Sequence, residues 1–584
     1  MPLLRRSSPA GSGGGRRWDT SGVGHVLFPR GVLALQRVDG ALLFAVRAAL
    51  AMALAGLPVV LAGRPDLAVY GMLGAFTTTF GRNLPYRRRA RVLAWVALAM
   101  TACVGLGSAL ASVARPWSTV AGAAVVVAAT ALVAGVSKYV CDATGLGGLG
   151  AILLLFSFAV AANATTTPGQ VLPRTGMAAA GSLMAWLLAL LGRLVHPDRP
   201  QRLSVAAALR QLAELLDTAR GGVGRSRHRA TGAVLQAYDS LGLAPPGTSK
   251  RPGEDNTCVR LADLSWSLLI DSTRGTPHDP PELARLLRTQ AGVLADRQQR
   301  YAQVLPDLAA YSSLLPEPGR RFSPRAPLPV DPAARRAWVL VRGRPGGHKP
   351  VSVLLVPALR MVLGTLVAGG AALALGLGHG YWAAISAAAV LHSVNVRTTV
   401  QRAVQRTLGT ALGLMIALGV LAGHPEPVLL ALVIVALEFL MEYMVVRNYG
   451  LGVVFLTPLA LLLSDLADPE SPEELIVDRG LGSLLGIVTG LLCALLVVHD
   501  RAAVRVERAL AGCAEATERA ERALAFRSRP PHPVIPVHLA VAVVELREAD
   551  DAAAGELLSA GIDPAALAAA EQRAYLLLAR LLHH

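Results

Sequence analysis

Glu438 and Glu442 stand four residues apart inside an otherwise apolar run, with Arg447 five residues further on. On a helix that spacing puts both carboxyls on one face. Two carboxyls sharing a low-dielectric site take up and release protons in coupled steps, the chemistry that proton coupling across a membrane requires. The alternative is structural: an ion pair between Glu442 and Arg447, with Glu438 against a polar group of a neighbouring helix. The first-half segment that should match this one has Ala129 and Val133, so the acids occur on one side only. His379 and His392, at run boundaries, fit structural roles.

Permanent positive charge recurs in pairs. Arg82, Arg87 and Arg91 have the same spacing as Arg397, Arg402 and Arg406 about 315 residues later, and Arg47 and Arg360 precede these triplets inside apolar segments. A planar guanidinium binds carboxylate in bidentate fashion and stacks on aromatic rings. Arg47 and Arg360, with the aromatics Tyr70, Tyr381 and Trp382, are therefore the candidates for an organic-anion path. Arg87, Arg91, Arg402 and Arg406 are candidates for a vestibule that concentrates anions. Bland readings stand beside these. Arg47 and Arg360 could snorkel to the headgroups, the triplets could only set topology, and Tyr381 and Trp382 could be interfacial anchors.

The elements that must position these residues are apolar helices. Hydrophobic residues make up 53% of the chain and charged ones 16%, and mean hydropathy is +0.48. Several runs reach the roughly 20 residues that cross about 30 Å of hydrocarbon. Spans are expected near 41–62, 66–80, 92–113, 117–137, 146–166 and 175–195, then near 351–377, 380–396, 404–422, 427–446, 449–466 and 479–498. Matched landmarks tie the sets together: Gly145-Leu146-Gly147 with Gly450-Leu451-Gly452, and Arg174 seven residues before Gly181 as Arg479 is before Gly486. One unit is written twice. The second span of each set is short, and short segments at matching positions of two halves point to a transporter's central site.

The expected architecture is all-α and polytopic: two parallel six-helix transmembrane repeats with helical cytoplasmic domains. Its parts are a basic tail at 1–40, a first repeat at 41–198, a helical domain with a proline-rich connector at 199–350, a second repeat at 351–499 and a helical tail at 500–584. Basic residues collect on one side of the alternating loops, which places both termini in the cytoplasm. That bias beside an anionic leaflet accounts for the net charge of +17 without nucleic-acid binding. Residues 1–37, rich in Arg, Gly and Ser, resemble a disordered tail rather than a cleaved signal. Leu209, Leu212, Leu215 and Leu216 line one face of a helix in the first polar interval, and the tail is patterned alike, so the two segments are expected to pack together.

Catalysis finds no support. There is no Walker A loop, no HExxH and no GxSxG with plausible partners. The five cysteines are dispersed, without CxxC, as expected of packing residues rather than metal ligands or disulfides. No catalytic residue, metal or cofactor is expected.

The layout resembles the fusaric acid resistance (FUSC) family and the related aromatic acid exporters. The resemblance rests on Gly380-Tyr381-Trp382-Ala383-Ala384-Ile385-Ser386 and on the block from Arg397 through Gln401-Arg402, Gln405-Arg406 and Leu408-Gly409-Thr410. The first half is degenerate, with Val69-Tyr70-Gly71-Met72 and Tyr86-Arg87-Arg88-Arg89 at the corresponding places. The six-helix unit is also similar to that of plant aluminium-activated malate transporters. The resemblance implies an inner-membrane exporter of small aromatic or organic acids.

Three functions follow: a proton-coupled exporter of small organic anions in the plasma membrane, a passive organic-anion channel, and a membrane scaffold or sensor whose cytoplasmic helices bind a partner. The expected partners are the organic anion and the lipid bilayer. A homo-oligomer or an accessory export protein stays open.

Overall fold

The structure is a computed structural model. It describes residues 40–308 and 351–583, apart from 83, 145, 147–149, 219–222, 242–256, 273–279, 297, 300–301, 393–395, 468–470, 497–500, 526–533 and 554–562. The basic tail, the proline-rich connector, the Arg-Pro-Pro-His-Pro stretch at 529–533 where the tail's helical pattern is expected to break, and the Arg397 side chain fall outside these residues, as do two glycines of the first Gly-Leu-Gly landmark.

The described residues fold as helices with no strand among them. The first membrane half contains α1 (Ala41–Leu61), α2 (Pro65–Ala75, continued by a 3-10 turn at Phe76–Thr79), α3 (Tyr86–Ala114), α4 (Val120–Thr144), α5 (Gly150–Asn163) and α6 (Pro168–Val195). Then come α7 (Arg199–Asp217), α8 (Val223–Leu241), α9 (Thr257–Asp271) and α10 (Pro280–Ala295). The second half contains α11 (Val351–Ala374), α12 (Tyr381–Leu391), α13 (Val396–Leu421), α14 (Pro427–Val445), α15 (Tyr449–Ala467) and α16 (Pro472–Leu496). The tail forms α17 (Arg501–Ala525), α18 (Val534–Ala553) and α19 (Pro564–His583).

Local sequence explains several starts. Proline stands in the first turn of α2, α6 and α14, where its missing N–H has no helical partner to lose. Thr167 and Gln170 close a capping box on α6, Gln170 Oε1 accepting from the Thr167 amide at 3.0 Å.

The chain is a multi-pass membrane protein. Among the described residues nine helices are long and apolar enough to cross a membrane, where hydropathy leads to twelve. The other three are short: α2 and α12 have 11 residues and α5 has 14, or about 17–21 Å of helix. Their apolar runs read as spans because they are enclosed by protein, not because they are long. Every residue of α12 is buried, and α5 is buried from Gly150 through Ala162. The long helices instead turn large apolar side chains outward, among them Trp95, Val113, Leu172 and Leu194, as a lipid-facing surface does.

Within each half the same ordinal pairs touch: first with second, first with sixth, second with sixth, third with fifth, third with sixth and fourth with fifth. Between halves, the first helix of each packs on the fourth of the other, α1 on α14 and α11 on α4. Glycine permits the closest approaches. A Cβ on Gly181 would lie 1.9 Å from the Gly71 carbonyl oxygen, and one on Gly486 would lie 2.2 Å from that of Ala383. The short second helices thus press backbone to backbone on the sixth.

A second core joins α7–α10 to α17–α19, including Leu209, Tyr238, Trp266, Val543 and Tyr575. Tyr575 and Thr231 share a buried hydroxyl hydrogen bond of 2.9 Å.

Candidate functional site

The two halves meet through charge where α1 packs on α14. Glu442, fully buried on α14, is ion-paired with Arg82 of the first half. Its other carboxylate oxygen accepts from the Thr79 hydroxyl at 2.6 Å. Arg82 is placed by the turn after α2. Gly81 adopts φ +65°, a left-handed conformation that glycine enters without steric penalty, and Arg89 donates to the carbonyls of Gly81 and Arg82. The Arg82 guanidinium lies 3.7 Å from the centroid of the Phe44 ring, and that of Arg47 lies 4.6 Å from it. Among the described residues Nε and Nη2 of Arg47 are buried without a hydrogen-bond partner, as is Oε2 of Glu438, one turn from Glu442. Two arginines and two carboxylates therefore face one another across the junction, and the bonds between them are only partly made.

Arg447 does not join this network. Its guanidinium stacks 3.8 Å from the centroid of the Tyr443 ring, and the Glu442–Arg447 pair that spacing suggests is replaced by one 360 residues apart.

The opposite junction, α4 on α11, has different chemistry. Lys138 pairs with Asp142 at 2.8 Å within α4, and Arg360 donates to the carbonyl of Leu391, the last residue of α12, at 3.1 Å. Arg47 and Arg360 thus occupy the first helix of each half but meet different neighbours.

The aromatic candidates lie on the short helices. Tyr381 and Trp382 begin α12, their ring centroids 4.5 Å apart, and Phe156 of α5 stacks on Trp382 at 6.0 Å. Both residues are buried, enclosed by protein rather than turned to a headgroup layer. Over Trp382 lies the guanidinium of Arg479, 3.8 Å from the ring centroid. Arg406 approaches α12 one turn further on, donating to the Ser386 hydroxyl at 3.1 Å. In the first half Arg174 lies 4.9 Å from the Tyr70 ring centroid.

The four vestibule candidates separate. Arg87 and Arg91 are exposed on the same stripe of α3 as the outward-facing Trp95 and Leu98. Arg402 is half-buried near the Tyr449 ring, whereas Arg406 is only 2% exposed. Sequence reasoning used Arg479 as a repeat landmark and not as a site residue, named Ser386 only within the motif that carries the resemblance, and left Phe44 and Thr79 unmarked. The matched position of Arg479 and Arg174, seven residues before a close-packing glycine, was the available signal.

Residues 366–493, most of the second membrane half, match the family described as fusaric acid resistance protein-like. The chain is 26% identical over 554 residues to an uncharacterized membrane protein, YvaC, of Bacillus subtilis (strain 168), covering 90% of this chain and 84% of that relative. No solved structure matches the chain.

Proposed function

We propose that this membrane protein, whose second half carries a fusaric acid resistance protein-like domain, exports small organic anions, aromatic carboxylic acids among them, in exchange for protons. In this reading it resides in the plasma membrane with both termini in the cytoplasm. The observation that carries the proposal is Glu442, a fully buried carboxylate inside a membrane helix whose salt-bridge partner belongs to the other half. A charge within the hydrocarbon is expensive unless it works, and its partner makes the α1–α14 contact depend on charge state. Protonating the pair at Glu438 and Glu442 removes the attraction that holds Arg82. The halves are then free to shift, and arginine donors become available to an anion. Deprotonation on the other side restores the pair. Proton entry and anion exit thus act on one bistable contact, as exchange requires.

The test is flux in vesicles containing the purified chain. With an imposed pH gradient, benzoate should move against its own concentration gradient. Glu438→Gln and Glu442→Gln should leave only downhill movement. Downhill flux alone in the unmodified protein would identify a passive channel, and absence of flux for every acid tried would favour a scaffold or sensor.

A further inference from the structure

The second membrane half contains a cluster of buried donors that the described residues satisfy only in part: Arg406 donates to the Tyr449 and Ser386 hydroxyls, and other donors beside it have no acceptor. Trp382, Arg406, Thr410, Arg479 and Ser483 are each 1–4% exposed. Among the described residues the indole Nε1 of Trp382, Nε of Arg406, Nε and Nη1 of Arg479 and the hydroxyls of Thr410 and Ser483 have no hydrogen-bond partner. These side chains belong together. Arg479 stacks on Trp382, and Arg406 donates to Ser386, one turn along α12. The two guanidiniums are near enough to repel each other. Thr410 and Ser483 follow their arginines by one turn, on the same helix faces.

Every N–H in this set is a donor only, and a hydroxyl can always donate. Among the described residues neither guanidinium has an ion-pair partner. Asp478, next to Arg479 in sequence, accepts instead from the His379 amide at 3.1 Å and faces its ring Nδ1 at 3.0 Å. Buried donors left unmade are costly, and two adjacent buried cations more so. A ligand rich in acceptors and negatively charged answers both deficits.

The first half is built otherwise. Arg174, at the position matching Arg479, donates to the Thr166 hydroxyl and to the Thr165 carbonyl at 2.8 Å. The triplet position matching Arg406 is Arg91, which lies exposed on the outer stripe of α3. The chain's own threonine loop therefore occupies the first-half arginine, and no second arginine joins it.

We infer that the Trp382, Ser386, Arg406, Thr410, Arg479 and Ser483 cluster is a binding site for one carboxylate on a planar ring, and that each chain holds one such anion rather than one per half. The carboxylate receives the guanidinium and hydroxyl donors, and the ring lies among Tyr381, Trp382 and Phe156. This deepens the export reading by saying where the anion rests, but binding can be measured without flux.

The experiment is calorimetric titration of the purified full chain in lipid nanodiscs with benzoate and with neutral benzamide. The expected result is one benzoate per chain, with benzamide bound much more weakly. Arg406→Gln and Arg479→Gln should each weaken benzoate by about 10- to 100-fold, the loss of a hydrogen bond to a charged group, and Arg174→Lys should not. Thr410→Ala and Ser483→Ala remove a hydroxyl without removing charge and carry the test if the arginine variants fail to fold. Two benzoates per chain, equal weakening by Arg174→Lys, or benzamide binding as tightly would overturn the proposal. Intact acid flux with unchanged binding in the four cluster variants would reject the site and leave export standing. Absent flux with benzoate bound as expected would reject export and leave the site.

Discussion

Arg82 and Glu442, 360 residues apart in the chain, form an ion pair across the interface between the two membrane halves, with the carboxylate fully enclosed. Removing one partner leaves the other buried and uncompensated. Glu442→Gln and Arg82→Gln should each lower thermal stability, by about 3 kcal/mol for a buried pair broken on one side. The double exchange Arg82→Glu with Glu442→Arg should recover much of it. Thermal unfolding in detergent, followed as a double-mutant cycle, measures the coupling; additive losses would show that the pair does not join the halves.

Glu438 should behave differently from Glu442, because its buried Oε2 has no partner to lose among the described residues. Glu438→Gln is expected to fold with unimpaired stability while flattening the pH dependence of anion flux. A thermal transition within about 0.5 kcal/mol of the unmodified chain, as for substitutions that break no bond, is the accompanying control.

Backbone contact between the second and sixth helices predicts a sharp contrast among glycines of similar sequence context. Gly486→Ala drives a methyl into the Ala383 carbonyl oxygen and should destabilise by about 1–3 kcal/mol, the usual penalty of overpacking. Gly176→Ala, with nothing within 4 Å of its new Cβ, should be neutral or slightly stabilising through helix propensity. Parallel melting curves of the two variants decide the matter.

The polar seam between α8 and the tail predicts a pH response of two opposed slopes. Burial pushes His228 below its ordinary value of 6.5. The unfolded chain then binds the proton more readily, and stability rises with pH up to about 6.5, where the contribution is complete. Burial pushes the carboxyl of Glu571 above its ordinary 4.5 despite Arg547. Here the folded form binds the proton more readily, so stability falls as pH rises from about 4.5 through the folded value. His228→Asn should remove the first slope and Glu571→Gln the second. Hydrogen exchange at the Thr231–Tyr575 contact, followed against pH, distinguishes them.

Because α7–α10 share one core with α17–α19, deleting residues 199–308 alone should expose the apolar faces of the tail and cause aggregation. Deleting the tail helices as well should restore a monodisperse membrane portion. Size-exclusion profiles of the two truncations provide the comparison.

Much of the membrane fold was legible because lipid and burial both demand apolar sequence, but hydropathy cannot separate them. That is why α2, α5 and α12 read as spans like the others although their helices are short and are wrapped by other helices. The carboxylate pair was visible from its spacing. Its partner Arg82 was not, since an ion pair closed between helices of different halves leaves no local trace. Arg406 was grouped with Arg402 by the repeat, yet they differ in depth: Arg402 stays half-buried beside the Tyr449 ring, whereas Arg406 donates to both the Tyr449 and the Ser386 hydroxyls and is buried. Charge type is written in sequence, whereas depth depends on which neighbour offers a hydroxyl.

The shared core of α7–α10 and α17–α19 also imposes an order of assembly. The first four of these helices leave the ribosome before the second membrane half has been made, yet Thr231 cannot be covered until Tyr575 has been translated. Throughout that interval an apolar surface waits for its complement, and a nascent chain halted anywhere in the second half displays it. Closure of this domain therefore waits on the tail helices, and a chain interrupted before Tyr575 keeps that apolar surface open.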